Sequence, residues 1–563
     1  MKTESKKCES CKKDFIIEPD DFGFYEMIKV PPPVWCPECR RLRRMVWYSY
    51  RILYKRKCDF TGENIITFYH PDVPCKIYKQ DVWWSDKWDA KSYGRDYDFS
   101  RPFFEQYKEL LQEVPRAALH TEYTTLTGSE YCNAVSYLKN SYLCFKNITG
   151  ENCAYVNVGL NTKDSLDLAY CAEPELCYEI VDVGYCFQTF FSQDCHNCQN
   201  VYFSRDLMNC IDCFGCTSLR NKNYCIFNEQ LTKEEYEKRI KELDFGSTTN
   251  LQKFKKQAYD FSLKYPRREL RGKNNVNTSG EYIYNSRNAH NVYYVSDSEN
   301  IRYSQLFIKG GVKNSYDYTA FGSNSELMYE CTWSGHLCNN VRFAVWNYRN
   351  HDTEYTFSCH GCEYVFGCVG LNKASYCIFN KQYSKEEYFP LVEKIKKQMN
   401  EMPFIDRRGL EHRYGSQIPI DLCPWAYNES TAYEFFPITK EEALAKGFTW
   451  RDPDQREYQD ASMVVPDHIK DVADDILKAV LKCEACGKNY QIIPKELQFL
   501  RRFNLPIPNH CPLCRDRARI KQLNPMQTYN RKCDKCDTAI ETSYTPDRSE
   551  IVYCESCYKQ EVY

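Results

Sequence analysis

Cys195-His-Asn-Cys198-Gln-Asn-Val-Tyr-Phe-Ser-Arg-Asp-Leu-Met-Asn-Cys210-Ile-Asp-Cys213-Phe-Gly-Cys216 holds the repeat on which the fold class turns. Its core piece, Asn200-Val-Tyr-Phe203, has the form Asn or Glu, small or apolar, then aromatic. The same form stands at Asn140-Ser-Tyr-Leu-Cys-Phe145, Glu151-Asn-Cys-Ala-Tyr155, Glu175-Leu-Cys-Tyr-Glu179, Asn291-Val-Tyr-Tyr294 and Asn300-Ile-Arg-Tyr303. Successive pieces lie mostly 9 or 12 residues apart, and their sum recurs as 21 from Cys195 to Cys216, Cys177 to Cys198, Ser165 to Cys186 and Cys132 to Cys153. Short strands rich in Tyr, Phe, Val and Ile, divided by tight turns at a period near 21, predict a parallel β-solenoid. The leucine framework of leucine-rich repeats and the period of about 40 of a propeller blade are both missing.

Working outward, a larger duplication divides this region into two blocks. Asp164-Ser-Leu-Asp167 with Glu175-Leu-Cys-Tyr-Glu179 returns as Asn314-Ser-Tyr-Asp317 with Glu326-Leu-Met-Tyr-Glu330. Phe214-Gly-Cys216 with Asn223-Tyr-Cys-Ile-Phe-Asn228 returns as Phe366-Gly-Cys368 with Ser375-Tyr-Cys-Ile-Phe-Asn380. Each block runs into a capping box, Thr232 to Glu235 and Ser384 to Glu387, opening helices expected to reach about Leu243 and Met399. An amphipathic helix there covers the terminal coil, which a solenoid requires. Twelve cysteines lie in the first block and six in the second. They read as small apolar fillers stacked coil on coil, or, at Cys195, Cys198, Cys210 and Cys213, as a further metal site. The repeated acids Asp167, Glu175, Glu179, Asp317, Glu326 and Glu330 read as a solvated or turn-bonding face, or as paired carboxylates for glycan cleavage.

The two ends carry a second duplication. A shift of 475 residues lays Cys8, Cys11, Cys36, Cys39 and Cys58 on Cys483, Cys486, Cys511, Cys514 and Cys533 without a gap. Both second pairs read Cys-Pro-x-Cys-Arg, and 24 residues separate the pairs in both copies. Four thiolates on two tight knuckles suit a closed tetrahedral zinc site. Cys533, Cys536, Cys554 and Cys557 form another such set, whereas the shift puts Thr61 where Cys536 stands. Three zinc ions are therefore expected, one near the N-terminus and two near the C-terminus, with Cys58 and Cys75 as bystanders.

Arg40, Arg41, Arg43 and Arg44 crowd the second knuckle of the first copy, and Arg515, Arg517, Arg519 and Lys521 that of the last. With Trp47, Tyr48, Tyr50 and Tyr54 interleaved they form a candidate nucleic-acid contact. The alternative is that these cations offset the charge of a zinc tetrathiolate and otherwise face water.

Composition narrows the classes. At 27% charged and 43% hydrophobic the chain is globular, and its 75 basic and 77 acidic side chains exclude a polycationic coat. The 33 cysteines occur in a chain whose start, Met1-Lys-Thr-Glu-Ser-Lys-Lys-Cys8, has no apolar signal segment, so metal chemistry in the cytoplasm is expected over disulfides. No run is long and apolar enough for a membrane span. HExxH, P-loop and dinucleotide fingerprints are absent, and no catalytic residue is assigned.

CxxC-x24-CPxCR at both ends around Tyr/Cys/Asn-rich repeats ending in Tyr-Cys-Ile-Phe-Asn resembles uncharacterised bacterial zinc-ribbon, treble-clef-like proteins with a β-helix centre. The resemblance implies zinc binding and brings no established activity. The expected fold is mainly β: a two-block parallel β-solenoid with capping helices, flanked by N- and C-terminal zinc-ribbon modules. The segments are 1–75 (zinc ribbon, one intact and one degenerate site), 76–126 (adaptor with a helix, over the first coil), 127–245 (first solenoid block), 246–279 (linker helix), 280–400 (second block), 401–482 (linker with helices, one over about Pro466 to Leu481) and 483–563 (double zinc ribbon). The expected function is a zinc-binding, non-enzymatic scaffold engaging a protein or RNA, the alternative being a glycan-binding or glycan-cleaving β-helix.

Overall fold

The computed structural model describes residues 2–452 and 457–563. The protein is mainly β, with two parallel solenoid sheets between cysteine-bearing ends. In the first block, parallel strands pair Ala154 with Leu166, Leu166 with Tyr178, and Phe187 with Gln199, so one coil takes 12 residues.

The coil is shorter than the expected 21 because it turns a corner at every third residue. Asn197, Asn200, Phe203, Asp206, Asn209 and Asp212 all hold φ between 51° and 57°. The residue after each corner, from Cys198 through Val201, Ser204, Leu207 and Cys210 to Cys213, points inward and is at most 3% exposed. Four sides of three residues make a coil of 12. Spacings of 9, 12 and 21 are all multiples of three: 12 is one full coil, and 9 and 21 fall one side short of one coil and of two.

This geometry explains the composition. Left-handed backbone costs most side chains roughly 1–2 kcal/mol and is tolerated best by Asn and Asp. Stacked amides help offset that cost: Asn197 Nδ2 donates to Asn209 Oδ1 at 3.2 Å, and Asn209 Nδ2 to Asn221 Oδ1 at 2.9 Å. Four inward side chains per coil leave a narrow interior, which Cys, Ser, Thr and Val fill.

The second block widens in its middle. Its register steps by 14 residues from Glu299 to Lys313 and by 13 from Lys313 to Glu326, then returns to 12 from Asn339 to His351. The extra length admits Phe307, Tyr318 and Met328 to the interior. Gly335 sits at φ 143°, where a Cβ would lie 2.2 Å from the Gly322 carbonyl oxygen.

Each solenoid ends in a short antiparallel pair, Cys225 with Gln230 and Cys377 with Gln382. The capping-box helices follow at Lys233–Lys241 and Lys385–Glu401, with both side-chain bonds of the box formed. Helices also form at Phe103–Glu113, Thr248–Ser262 and Lys440–Ala445. The helix expected over Pro466 to Leu481 does not form. Only single 3-10 turns occur, at Ile469–Asp471 and Asp474–Leu477, because Ile469, Val472, Ile476 and Leu481 are all drawn into one apolar cluster with Leu497 and Leu500.

The chain divides into two compact units, each discontinuous in sequence. One holds the chain through Leu119 with Leu270–Asp452, and the other His120–Glu269 with the C-terminal residues. The N-terminal cysteine module therefore packs with the second solenoid block and the C-terminal module with the first. The adaptor's helix packs on the second block, where Phe103 meets the rings of Tyr355, Phe366 and Phe379 at 5.2–5.4 Å. Its end lies on the first coil, with Glu122 N donating to the Val135 carbonyl at 3.1 Å and Leu126 against the first-block core.

Candidate metal centres

Each cysteine set is built from a hairpin knuckle and a helix start. Strands Glu4–Lys7 and Asp14–Ile17 carry Cys8 and Cys11 in their turn, and Cys36 caps the Pro37–Val46 helix, whose first turn holds Cys39. The copy repeats this with Leu481–Lys482, Asn489–Tyr490 and Cys511 capping Pro512–Ile520. The third set uses Tyr529–Lys532, Ala539–Thr542 and Cys554 capping Glu555–Val562. The residue after each knuckle is left-handed, at Lys12 (φ 63°), Gly487 (70°) and Asp537 (58°).

In each set the four Sγ atoms lie within 4.8 Å of one another. Cys11 and Cys36 Sγ are 3.7 Å apart, and Cys486 with Cys511 and Cys536 with Cys554 are each 3.8 Å apart. A tetrahedron with Zn–S bonds of about 2.3 Å has edges of about 3.8 Å, so the donor sets fit a four-coordinate metal ion. Backbone amides add to this: Cys36 N, Cys511 N and Cys554 N each donate to the first thiol of their set at 3.2 Å.

One thiol per set is held near or below neutrality. Hydrogen bonds with Cys36 and Cys39 pull Cys8 far down, at the expense of Cys36, which is driven up. Burial raises Cys483, but backbone N–H groups led by that of Cys511 outweigh it and bring the thiol to about 7. The hydrogen bond with Thr538 brings Cys536 to about 6. Ionisation of one thiol is thus favoured in each set, and metal binding would displace the remaining protons.

The degenerate fourth set keeps its backbone. Tyr54–Lys57 and Asn64–Thr67 form the hairpin, Gly62 is left-handed at φ 75°, and Lys79 caps the short Gln80–Trp83 helix. Under the 475 shift Thr61, Lys79 and Val82 stand where Cys536, Cys554 and Cys557 are. Lys79 N still donates to Cys58 Sγ at 3.3 Å, matching the 3.2 Å bond from Cys554 N to Cys533 Sγ. Restoring the thiols with Thr61→Cys, Lys79→Cys and Val82→Cys together is expected to raise bound metal by one ion per chain; elemental analysis of the triple variant beside the parent checks this.

The solenoid cysteines do not join these centres. Among the described residues, the His, Cys, Asp and Glu groupings able to hold an ion are the three terminal sets alone. Cys198 stacks between Cys186 and Cys210, but the columns of Cys195 and Cys213 pass to Leu207 and Val201, so the four thiols of the suspected knuckle pair do not converge. Their S–H groups donate to carbonyls two residues back, as Cys195 does to Gln193 O at 3.3 Å and Cys198 to His196 O at 3.3 Å.

The arginines beside the second knuckles are where the structure departs most from the expectation. Arg40, Arg43, Arg44, Arg515 and Arg519 are buried, at most 9% exposed. Arg44 Nη1 pairs with Asp317 Oδ1 at 2.7 Å, Arg40 Nη2 with Asp317 Oδ2 at 2.9 Å, and Arg43 Nη2 with Glu330 Oε1 at 2.6 Å. In the other unit Arg519 Nη1 pairs with Asp167 Oδ1 at 2.6 Å and Arg515 Nη1 with Glu496 Oε1 at 2.7 Å. These five do not form a surface strip for a phosphate backbone, because solenoid and module carboxylates already neutralise them. Arg41 is half-buried over the rings of Tyr293 and Phe436, 5.2 Å from each, and Arg517 is exposed. Trp47, Tyr48 and Tyr50 are core residues, at most 2% exposed.

The repeated acids are accounted for in the same way. Asp167 and Asp317 receive the arginines, Glu330 follows Asp317 one coil on, and Glu179, its equivalent, pairs with Lys255 at 2.6 Å. That exchange accompanies Ala518 at the place of Arg43 under the 475 shift. Glu175 pairs with Lys163 at 2.7 Å, and Glu326 accepts from Asn314 at 2.7 Å. Glu496 and its counterpart Asp21, which pairs with Arg302 at 2.7 Å, were not singled out by sequence, although the 475 shift superimposes the two acids.

Comparison with known protein families, curated proteins and solved structures finds no match to this chain. No family is therefore shown for it, and what the structure bears out is the architecture: three four-cysteine groups that could hold metal ions, and a parallel solenoid.

Proposed function

We propose that the chain is a zinc-dependent, non-enzymatic binding scaffold whose solenoid surfaces engage a protein partner. The carrying observation is the burial of the knuckle arginines in solenoid carboxylates. It gives the zinc modules an internal task, clamping one flank of each solenoid, and removes most of the basic strip on which an RNA reading depended. Zinc is the ion of choice because all-thiolate tetrahedral sets with amide donors to sulfur suit a closed structural site. The repeated acids are each engaged by a cation or an amide, and Asp167, Asp317 and Glu330 are buried, at most 1% exposed, which speaks against substrate-facing carboxylates of the kind that glycan cleavage uses. None of the 33 cysteines is in a disulfide, which suits a reducing compartment such as the cytoplasm. Among the described residues no helix is long and apolar enough to cross a membrane.

The test is affinity purification of the full chain with elemental analysis of the same sample. The expected result is about three zinc ions per chain, one for each group, and a protein partner that survives nuclease treatment. Fewer than two zinc ions would overturn the metal assignment, and a partner lost on nuclease or moderate salt would return the reading to RNA.

A further inference from the structure

Where the degenerate fourth set meets the second solenoid block, a histidine is boxed in by aromatic rings. His360 is 5% exposed, and neither Nδ1 nor Nε2 has a hydrogen-bond partner among the described residues. Its ring stacks on that of Tyr348, one coil back, at 5.1 Å, and Trp346 stands edge-on at 5.3 Å. The other walls come from the end of the Gln80–Trp83 helix, with Trp83 at 5.8 Å and Trp84 at 5.0 Å. Trp83 also stacks on Trp346 at 5.8 Å. Gln80 Nε2 donates to the Leu119 carbonyl and Trp83 Nε1 to the Pro115 carbonyl at 3.0 Å, bonds that stay within the adaptor.

The two duplications supply an internal contrast. The shift of 152 residues that lays Phe214-Gly-Cys216 on Phe366-Gly-Cys368 puts Met208 at the place of His360, and the 475 shift puts Tyr558 at the place of Trp83. There the knuckle helix docks through polar groups: the Tyr558 hydroxyl donates to Asp206, and Arg220 Nη2 donates to Tyr558 Oη at 3.1 Å. The aromatic box and its imidazole belong to the second block alone.

Among the described residues no charged side chain acts on His360, and burial alone pushes its imidazole down to about 3. The Tyr348 phenol accepts from Trp333 and Trp346 Nε1 at 3.1 and 3.0 Å, and the Cys359 and Cys362 thiols donate to the Phe357 and His360 carbonyls. Asp81, Asp86, Lys87, Asp89 and Lys91 around the two tryptophans, and Arg349 beside Tyr348, are exposed. Ring faces attract a cation, but a closed imidazolium would still hold two N–H donors without acceptors in a dry site.

We propose that this box is a pH-sensitive latch: closed, it keeps His360 neutral, and mild acid favours an open, protonated state in which the Gln80–Trp83 helix leaves the second solenoid block. The proton enters only once the box opens. Opening is therefore favoured as pH falls below the ordinary imidazole value of about 6.5 and is indifferent to pH above it. Between about pH 7.5 and 5.5 the factor is about tenfold. The latch does not depend on the metal centres or on the scaffold reading.

The test is hydrogen exchange of the full chain, with zinc in excess, at about pH 7.5 and 5.5, corrected for the intrinsic pH dependence of exchange. The opening constant across 79–85 and 346–361 is expected to rise about tenfold on acidification, and that of the equivalent 194–209 in the first block less than about twofold. His360→Met, which installs the first block's residue, should bring the tenfold rise below about twofold. No rise in the parent, an equal rise in both blocks, or a rise kept in folded His360→Met overturns the latch. Should His360→Met not fold, the same comparison in His360→Gln decides, and the two blocks of the parent decide without any variant.

Discussion

Stripping metal from the full chain with a chelator is expected to unfold the knuckle modules at both ends while the two solenoids keep their β structure. Beyond the arginine clamp, little holds the cysteine-bearing hairpins of those modules. Their hairpins have strands of two to four residues, and an isolated two-stranded hairpin is marginal in water. The buried members of the last module's apolar cluster are Cys533, Ile540, Tyr544, Val552 and Cys557, so two of the five belong to the four-cysteine group that could hold an ion. A structural zinc ion contributes about 10–16 kcal/mol of apparent binding free energy at neutral pH, and where the ligands are ordered only by the ion this is folding free energy. The solenoids have their own ladders and their own buried columns. Hydrogen exchange read by mass spectrometry should therefore show protection lost around Cys8–Cys39 and Cys483–Cys557 and kept across 127–228 and 280–380. The Cys533 set should go first, since it has the smallest supporting cluster. Undiminished protection at both ends after every ion is gone would falsify the role given to the metal.

Asp317→Ala is expected to destabilise its unit by roughly 3–5 kcal/mol, the range for removing one partner of a buried ion pair. Asp317 is 0% exposed and takes charge-assisted bonds from both Arg40 and Arg44. Its loss leaves the Arg40 guanidinium with only the Trp35 carbonyl, at 2.6 Å, and a Glu330 oxygen at 3.9 Å. Asp167→Ala should act likewise in the other unit, where Arg519 would retain only Asp516, at 3.7 Å. Removing the stranded cations together with the carboxylate, as in Asp317→Ala with Arg40→Met and Arg44→Met, should recover a large part of the loss, because what costs most is a buried charge without a partner. Thermal or denaturant unfolding of the single and triple variants decides it. A cost below about 1 kcal/mol for Asp317→Ala, as for an exposed pair, would show that the arginines find water or another partner.

The clamp also defines where the duplication has diverged. Both copies keep Asp167 or Asp317 facing two arginines, but Arg43 with Glu330 in one unit has become Ala518 with Glu179 turned to Lys255 in the other. In the metal modules the opposite unit has eroded: the fourth set keeps hairpin, left-handed turn and amide bond to sulfur, yet has Thr61, Lys79 and Val82 in place of thiols. Its fold persists without the ligands because neighbouring core has taken over, with Ile77 0%, Val82 3% and Trp83 4% exposed.

The twelve thiols were legible in sequence because a knuckle is local: CxxC and a left-handed residue after it fix each pair within a few residues, and the 475 register supplies the rest. The capping helices were legible for the same reason, since a capping box is written in four consecutive residues. The solenoid class followed from its periodic short strands, but the coil length did not, because a three-residue corner makes 9, 12 and 21 equally consistent with the text. Only the tertiary structure shows that Arg44 faces Asp317 and Arg519 faces Asp167. A charge in sequence carries no mark of its partner some hundreds of residues away, so a basic strip beside a knuckle reads as surface until packing excludes water and leaves the carboxylates as its counter-ions. The same holds for the pairing of each end with the solenoid of the opposite half, which long-range burial decides and local spacing does not record.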